Sequence, residues 1–151
     1  MLLLVFRVAD ETYAVEAGRV VEVVPRVALR TLPHAPDALA GMFRYRGRVV
    51  PVIDLGVLLG AGPCPPRLST RIIVVDDLMP ARGTARLGLI AEHVNDVRRV
   101  ADDRVVPQAR LLGQNPYLGP IVSDDSGLIP LIAVERILAG PLRGALAEAA
   151  P

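Results

Sequence analysis

Hydrophobic residues along the chain occur mainly in short runs, which polar residues, glycine and proline separate. Such runs, bounded by turn residues, are typical of β-strands. The pattern predicts strands at residues 2–8, 12–16, 19–25, 27–32, 70–75, 85–92, 117–122 and 127–132, the third of them beginning directly or after a short helical turn. At most one helical turn is expected at 37–40, and an Ala-rich C-terminal helix at 142–150.

A tight hairpin is predicted at residues 45–53. Gly47 supplies the turn, and a β-branched strand follows it. Pro51 lies inside that strand, where it cannot donate a ladder hydrogen bond, so it marks a sheet edge or a barrel corner. Asp54 comes next and is a good N-cap for the short apolar run after it. Structural roles are therefore expected for Gly47, Pro51 and Asp54.

Three arginines surround the turn of this hairpin. Arg44, Arg46 and Arg48 alternate with Tyr45 and Gly47, and simple alternation predicts that the three share one face. A ribbon that presents several guanidinium groups to solvent indicates a docking surface more than a catalytic cleft. The planar guanidinium of Arg46 suits bidentate pairing with a partner carboxylate, or a contact that holds a groove wall in place.

The second half of the chain repeats this pattern. A second glycine, β-branched run and proline place Pro130 in the position of Pro51, and residues 91–97 echo residues 17–23. Two echoes in the same order indicate duplication of a unit of about 70 residues. Residues 1–140 are expected to form one domain of two lobes, about 1–66 and 67–140, and exchange of strands between the lobes stays open. Residues 141–151 would form a C-terminal helix or tail.

Composition narrows the class of protein. Hydrophobic residues make up 52% of the chain and aromatic residues only 3%, so Val, Leu, Ile and Ala must build the core. The short strands and the duplication favour two small barrels. A net charge of +1 provides no global field for nucleic acid. No segment has the length or pattern of a membrane span or signal sequence. Cys64 is the only cysteine, so the cytoplasm is the default compartment.

Candidate chemistry is scarce in the sequence. His34 and His93 are the only histidines, and their spacing does not fit a metal pair. The adjacent acids fall where loops are expected, so solvated turns explain them better than general acid–base catalysis. No phosphate-binding glycine motif occurs. The sequence therefore predicts no catalytic residue, no metal site and no cofactor.

Binding through apolar surfaces follows from the high hydrophobic content. Two small barrels with few aromatic residues cannot easily bury so much apolar surface, and exposed apolar patches usually mark protein partners. One patch is expected around Val20, Gly41 and Met42, where an amphipathic helix of a partner could lie. Gly41→Val is expected to block docking at little cost in stability. The alternative is that Val20 and Met42 belong to the core.

Several short motifs follow one another in a recognisable order. They are Phe6 with Val8, residues 13–15, Val20 with Glu22 and Val23, residues 32–33, Gly41, residues 46–47, 50–55, 88–89, 94–97, 117–119 and 127–131. In this order they resemble the bacterial chemotaxis coupling proteins, the CheW-like family, over nearly the whole chain. The segment from Arg46 to Leu55 is the most specific part of the resemblance.

The resemblance implies an all-β fold of two intertwined SH3-like five-stranded barrels, with short helical segments and a C-terminal helix. It also implies a cytoplasmic, non-enzymatic adaptor, recruited to membrane receptor arrays. Its partners would be the cytoplasmic tip of a methyl-accepting chemoreceptor and the regulatory domain of the CheA-type histidine kinase, with no nucleic acid. By this analogy Val20, Gly41, Arg46 and Val97 fall at the receptor-facing groove and nearby kinase contacts.

Two departures from the family pattern concern partners more than fold. Arg44 stands where the family commonly has asparagine, and Ala133 stands where the second proline motif commonly has a capping aspartate. The sequence around Arg46 and at residues 117–120 also resembles that of couplers in Wsp-type surface-sensing pathways. Those pathways regulate a diguanylate cyclase. The alternatives from other classes are a free-standing ligand-binding barrel protein and a scaffold for other pathway proteins.

Overall fold

The computed structural model describes residues 1–76, 86–106 and 115–139. Ten strands occupy most of them: β1 (Leu2–Val8), β2 (Glu11–Glu16), β3 (Val20–Pro25), β4 (Leu39–Tyr45), β5 (Arg48–Asp54), β6 (Thr70–Asp76), β7 (Arg86–Arg99), β8 (Val105–Val106), β9 (Leu118–Asp124) and β10 (Gly127–Ile132). Two short helices, α1 (Leu55–Leu58) and α2 (Val134–Ala139), follow β5 and β10. Turns of 3₁₀ helix lie at Ala17–Arg19 and Asp102–Arg104. No helix in the described ranges is long and apolar enough to cross a membrane.

The strands form one continuous sheet that curls into two SH3-like barrels. The strand order is β3-β6-β7-β1-β2-β10-β9-β8, and β5 pairs with both β4 and β7. Strands β3 to β7 surround the first barrel. Strands β1, β2, β8, β9 and β10, with the end of β7, surround the second barrel. The predicted all-β fold of two barrels is confirmed.

The two barrels exchange strands. The 14-residue β7 pairs with β5 and β6 through its first half and with β1 through its second half. The change of partner falls at His93, which has a φ of 51°. In the opposite direction, the 3₁₀ turn at Ala17–Arg19 carries the chain from β2 in the second barrel to β3 in the first. The predicted intertwining is therefore present, whereas the lobe boundary near residue 66 stays a prediction.

Two hairpins, β4–β5 and β9–β10, have the same register. Pro51 pairs with Met42, and Pro130 pairs with Ile121. Immediately after each proline the strand gains a parallel partner, because Val52 pairs with Gly88 of β7 and Leu131 with Ala14 of β2. Each proline thus lies where a strand turns into a barrel wall, which fits the predicted corner. The equivalence of the two prolines is confirmed.

The core consists of two apolar clusters that β1 separates. Leu3 and Val5 point into the second barrel, while Leu4 and Phe6 point into the larger cluster that also fills the first barrel. All four side chains are buried, because one face of β1 lines a barrel and the other faces the seam between the barrels. The larger cluster joins residues of both barrels, which confirms the predicted apolar seam.

One expectation about local structure was wrong. Residues 27–32 do not form a strand, since their only ladder contact is a bridge between Arg30 and Met42. Residues 37–38 form a turn, and β4 begins at Leu39, so no helical turn covers 37–40. Tertiary pairing accounts for both segments, because β4 pairs with β5 from Leu39 onward, and Met42 of β4 forms the bridge to Arg30. The loop at 77–85, residues 107–114 and the helix at 142–150 lie outside the described residues.

Candidate docking surfaces

The turn of the first hairpin is built for a tight reversal. Tyr45 pairs with Arg48, so Arg46 and Gly47 form a two-residue loop with φ values of 49° and 79°. Positive φ at both central residues is the twist that antiparallel strands prefer in such hairpins. Glycine adopts it freely, so Gly47 suits this position of the turn. Arg46 adopts it as a non-glycine residue, which places its side chain beside Tyr45.

A polar network surrounds Tyr45 at this turn. The Tyr45 hydroxyl donates to Oε1 of Glu22, and NH2 of Arg46 donates to the same oxygen at 3.0 Å. The Cζ atoms of Arg46 and Arg86 lie over the Tyr45 ring, 5.1 and 5.4 Å from its centroid. Arg86 also faces Asp76, with 3.4 Å between Nε and Oδ1. These residues, together with Arg48 and Gly47, are called the first tip below.

The pKa of Tyr45 reflects this network. The hydrogen bond to Glu22 raises the pKa of the phenol above 10.0, and burial adds to the rise, while the guanidinium groups of Arg46 and Arg86 oppose it. The phenol therefore remains a hydrogen-bond donor well into the alkaline range. Glu22 and Arg86 come from strands far from Tyr45 in the sequence, so no local motif could have revealed their contact.

The three arginines of the hairpin do not share one face, so that expectation was wrong. Arg48 lies directly opposite Tyr45 in the ladder, whereas Arg44 lies opposite Val49. Directly opposite residues share a face, so Arg48 is on the side of Tyr45 and Arg44 is on the other side. Simple alternation failed because the chain reverses between them. All three arginines are nevertheless exposed, and 63% of the Arg46 side chain faces solvent.

The exposed patch expected around Val20, Gly41 and Met42 is also wrong. Val20 and Met42 are half-buried, and Val20 packs against the larger core cluster. Gly41 is buried, with a φ of 150°, and a Cβ there would lie 2.7 Å from the carbonyl oxygen of Arg30. The expectation that Gly41→Val would cost little stability therefore fails. The roles of these three residues in partner binding stay predictions.

Exposed apolar side chains occur elsewhere, on the β1–β7 ladder. Leu2 is 44% exposed and Val97 is 56% exposed. Leu4 pairs with Val97, and Leu2 is two residues before Leu4, so all three side chains lie on one face. Leu4 is buried in the seam cluster. The apolar strip formed by Leu2, Leu4 and Val97 thus begins at the seam and extends to solvent. It contains one predicted site residue, Val97.

Asp54 caps α1, as predicted. Its Oδ1 accepts hydrogen bonds from the backbone amides of Gly56 at 2.9 Å and Val57 at 3.4 Å. The amide of Cys64 donates to both carboxylate oxygens at 3.2 Å, so the same side chain also holds the following loop.

Burial is the main reason that the pKa of the Cys64 thiol rises to about 12, so this thiol stays protonated and structural.

The turn of the second hairpin carries a different network, which sequence reasoning missed. Arg98 donates to Asp96 at 2.7 Å, to Asp124 at 2.9 Å and to the Ser126 hydroxyl at 3.0 Å. Hydrogen bonds from Ser126 are the main reason that the pKa of Asp124 falls, with Arg98 assisting. These four residues, with Asp125, are called the second tip below. Arg98, Asp124, Asp125 and Ser126 border an open cleft of about 530 Å³.

The described residues contain no group of three His, Cys, Asp or Glu side chains that could hold a metal ion. His34 and His93 are both exposed and lie on different parts of the first barrel. Their positive φ values, 60° and 51°, place His34 in a turn and His93 at the point in β7 where the strand changes its partner. The polar clusters at the two tips are networks of ion pairs and hydrogen bonds.

The comparisons with known proteins agree with this picture. A family model described as the CheW-like domain matches residues 2–141. The chain is 28% identical over 137 residues to the probable chemotaxis protein CheW of Rhizobium etli, a match that covers 89% of this chain and 85% of that protein. It is 31% identical over 102 residues to protein FrzA of Myxococcus xanthus, covering 68% and 61%. The crystal structure of the scaffolding protein TtCheW from Thermoanaerobacter tengcongensis matches with a TM-score of 0.81 at 26% identity, covering 93% of this chain and 89% of that chain.

Proposed function

The chain belongs to the family of CheW-like domains, and from this we propose that it is a non-enzymatic adaptor in chemotaxis-like signalling. In this proposal it joins the cytoplasmic tip of a methyl-accepting chemoreceptor to the regulatory domain of a CheA-type histidine kinase. It would work in the cytoplasm and be recruited to receptor arrays, without a cofactor or nucleic acid. A surface-sensing output stays a prediction from the sequence.

The observation that carries the proposal is the apolar strip. Leu2 and Val97 remain exposed beside the buried Leu4, on the part of β7 that pairs with β1. Exposed apolar residues next to a packed seam are a common form of protein-binding surface. An amphipathic helix could lay its apolar face along this strip, with the two exposed side chains as anchors. A helical receptor tip is the partner we propose for it.

The test is a binding measurement with the purified full chain and a receptor cytoplasmic-tip fragment. Val97→Ser should weaken binding about tenfold, because an anchor residue at an interface contributes roughly 1–2 kcal/mol. Its melting temperature should stay close to that of the unchanged protein, because Val97 is already 56% exposed. The matched control is Leu128→Ser, since Leu128 is 63% exposed but lies on β10, away from the strip.

Two results would contradict this assignment. One is an equal loss of binding in the Val97→Ser and Leu128→Ser variants. The other is the absence of binding to both the receptor tip and the kinase regulatory domain by the unchanged protein. A free-standing ligand-binding protein would need a pocket in a barrel, but the buried side chains of the two core clusters occupy both described barrel interiors.

A further inference from the structure

We propose that the first tip binds an acidic helical segment of a partner protein, with Arg46 and Arg86 receiving two carboxylates and Tyr45 holding both guanidinium groups in place. This inference rests on the proposed adaptor function and adds the chemistry of one partner segment. It assigns a role to Arg86 and Tyr45, two residues that the sequence analysis did not select for binding.

The geometry brings two arginines from distant parts of the chain to one ring. Arg46 lies in the β4–β5 turn and Arg86 begins β7, yet both Cζ atoms are within 5.4 Å of the Tyr45 ring centroid. Tyr45 is only 7% exposed and belongs to the larger core cluster, so its surroundings fix the ring. An arginine side chain loses conformational entropy when it binds a ligand. A fixed aromatic ring already restricts the side chain in the free protein, so less entropy remains to be lost on binding.

Each guanidinium group keeps donors for a ligand. Arg46 donates to Glu22 through NH2, and Arg86 faces Asp76 through Nε. A guanidinium group has five N–H donors, so most of them remain without a partner among the described residues. Glu22 and Asp76 act as orienting groups. They are outnumbered by the guanidinium groups of Arg46, Arg48 and Arg86, which leaves the first tip with a positive balance.

A pair of carboxylates on one helix face matches this arrangement. Acidic residues one helical turn apart have Cβ atoms about 5–6 Å from each other, so both can reach neighbouring guanidinium groups. Arginine binds carboxylates through two parallel hydrogen bonds, which adds directional specificity. The second tip lacks this capacity, because Asp96, Asp124 and Ser126 already occupy Arg98. Of the two tips, the first is therefore the one that suits an acidic segment.

The experiment uses the full chain and two labelled synthetic helical peptides. One carries two glutamates four positions apart in an Ala-rich helix, and the other carries glutamines at the same positions. Binding is followed by fluorescence anisotropy at low ionic strength, where exposed charge pairs are screened least. We expect the glutamate peptide to bind about tenfold more tightly, in line with two charge-assisted contacts.

Four variants separate the roles of the residues. Arg46→Ala and Arg86→Ala should each lose most of the preference for glutamate over glutamine. Tyr45→Phe should keep the preference because the ring remains, whereas Tyr45→Leu should lose it although both arginines are present. Arg7→Ala is the matched control, since Arg7 is an exposed strand arginine of the second barrel and should change nothing. Thermal melting of every variant checks that it folds.

Three outcomes overturn the inference. The first is equal affinity for the two peptides, and the second is an unchanged preference for the glutamate peptide in Arg86→Ala. The third is self-association of the chain that Arg86→Ala abolishes, because the first tip would then bind a second copy of the chain. Binding of the receptor and the kinase without any preference for the glutamate peptide would contradict this inference but not the proposed adaptor function. A glutamate preference without receptor or kinase binding would instead contradict the proposed adaptor function.

Discussion

The two hairpin tips of this molecule have the same backbone register and opposite chemistry. Both hairpins place a proline before a parallel pairing, and both close around a two-residue turn. The first tip arranges Arg46 and Arg86 around an aromatic ring, whereas the second tip surrounds Arg98 with two carboxylates and a hydroxyl. Ladder pairing and barrel closure constrain the strands, but the turn side chains face solvent and can diverge. Duplication of a fold therefore does not duplicate its binding chemistry.

The same contrast holds where each hairpin leads into a helix. Asp54 caps α1 and also binds the amide of Cys64, while Ala133 at the matching place has no side chain to do so. Ala133 is buried, and its amide donates to the carbonyl oxygen of Tyr117. The first hairpin is thus anchored by a side chain, and the second by packing and a backbone hydrogen bond.

Substitutions in the strands that precede the two turns, β4 and β9, should differ most in their effect on stability. Gly41→Val should destabilise the protein by about 3 kcal/mol, because its Cβ would clash with the Arg30 carbonyl and its φ disfavours a side chain. Pro120 occupies the corresponding place in β9 and is exposed, so Pro120→Ala should change stability by less than about 1 kcal/mol. Urea unfolding measures both. Similar stability losses in the two variants would contradict the comparison.

Asp54→Ala is expected to have the next largest effect, about 2 kcal/mol, since it leaves the amides of Gly56, Val57 and Cys64 without their acceptor. Asp54→Asn keeps a side-chain oxygen and should retain most of the stability. Chemical unfolding of the two variants separates loss of the cap from loss of the charge. If Asn is as damaging as Ala, the charge matters more than the hydrogen bonds.

The two tips should weaken at opposite ends of the pH scale. The raised pKa of Tyr45 means that its contribution is complete below pH 10.0 and is lost as pH rises through the folded pKa. The lowered pKa of Asp124 means that its contribution is complete above pH 3.8 and is lost as pH falls through the folded pKa. The melting temperature should therefore fall less steeply at alkaline pH in Tyr45→Phe than in the unchanged protein. In Asp124→Asn it should fall less steeply at acidic pH.

A control for the pH experiment is Tyr13→Phe, since burial also raises the pKa of Tyr13, with a further contribution from Glu11. This variant should flatten the alkaline limb without affecting the first tip. If neither Tyr45→Phe nor Asp124→Asn alters its limb, the two networks do not contribute to stability as the hydrogen bonds indicate.

The smallest expected effects on stability come from the arginines themselves. Arg46→Ala removes an exposed ion pair and should cost less than about 1 kcal/mol, yet it should weaken receptor or kinase coupling. Arg98→Ala removes contacts to Asp96 and Asp124 and should cost about 1 kcal/mol, with coupling retained. Calorimetry and a ternary pull-down provide the two readouts. Intact ternary complexes with Arg46→Ala would remove its proposed role.

Local signals in the sequence were enough to predict the features that depend on near neighbours. The strand pattern, the two equivalent prolines, the turn at Gly47 and the Asp54 cap all follow from local signals, because turn conformation and capping involve residues only a few positions apart. The internal repeat was visible for the same reason, since each unit keeps its own local signals.

Which surfaces those elements share depends on contacts between distant segments. The strand exchange at β7, the burial of Gly41 against Arg30, and the meeting of Arg86 with Tyr45 depend on strands that pair across long stretches of chain. The faces of Arg44 and Arg48 depended on how the ladder resumes after the turn. Register sets which side chains meet, and register follows from closure of the whole barrel, so no single segment of the sequence contains it.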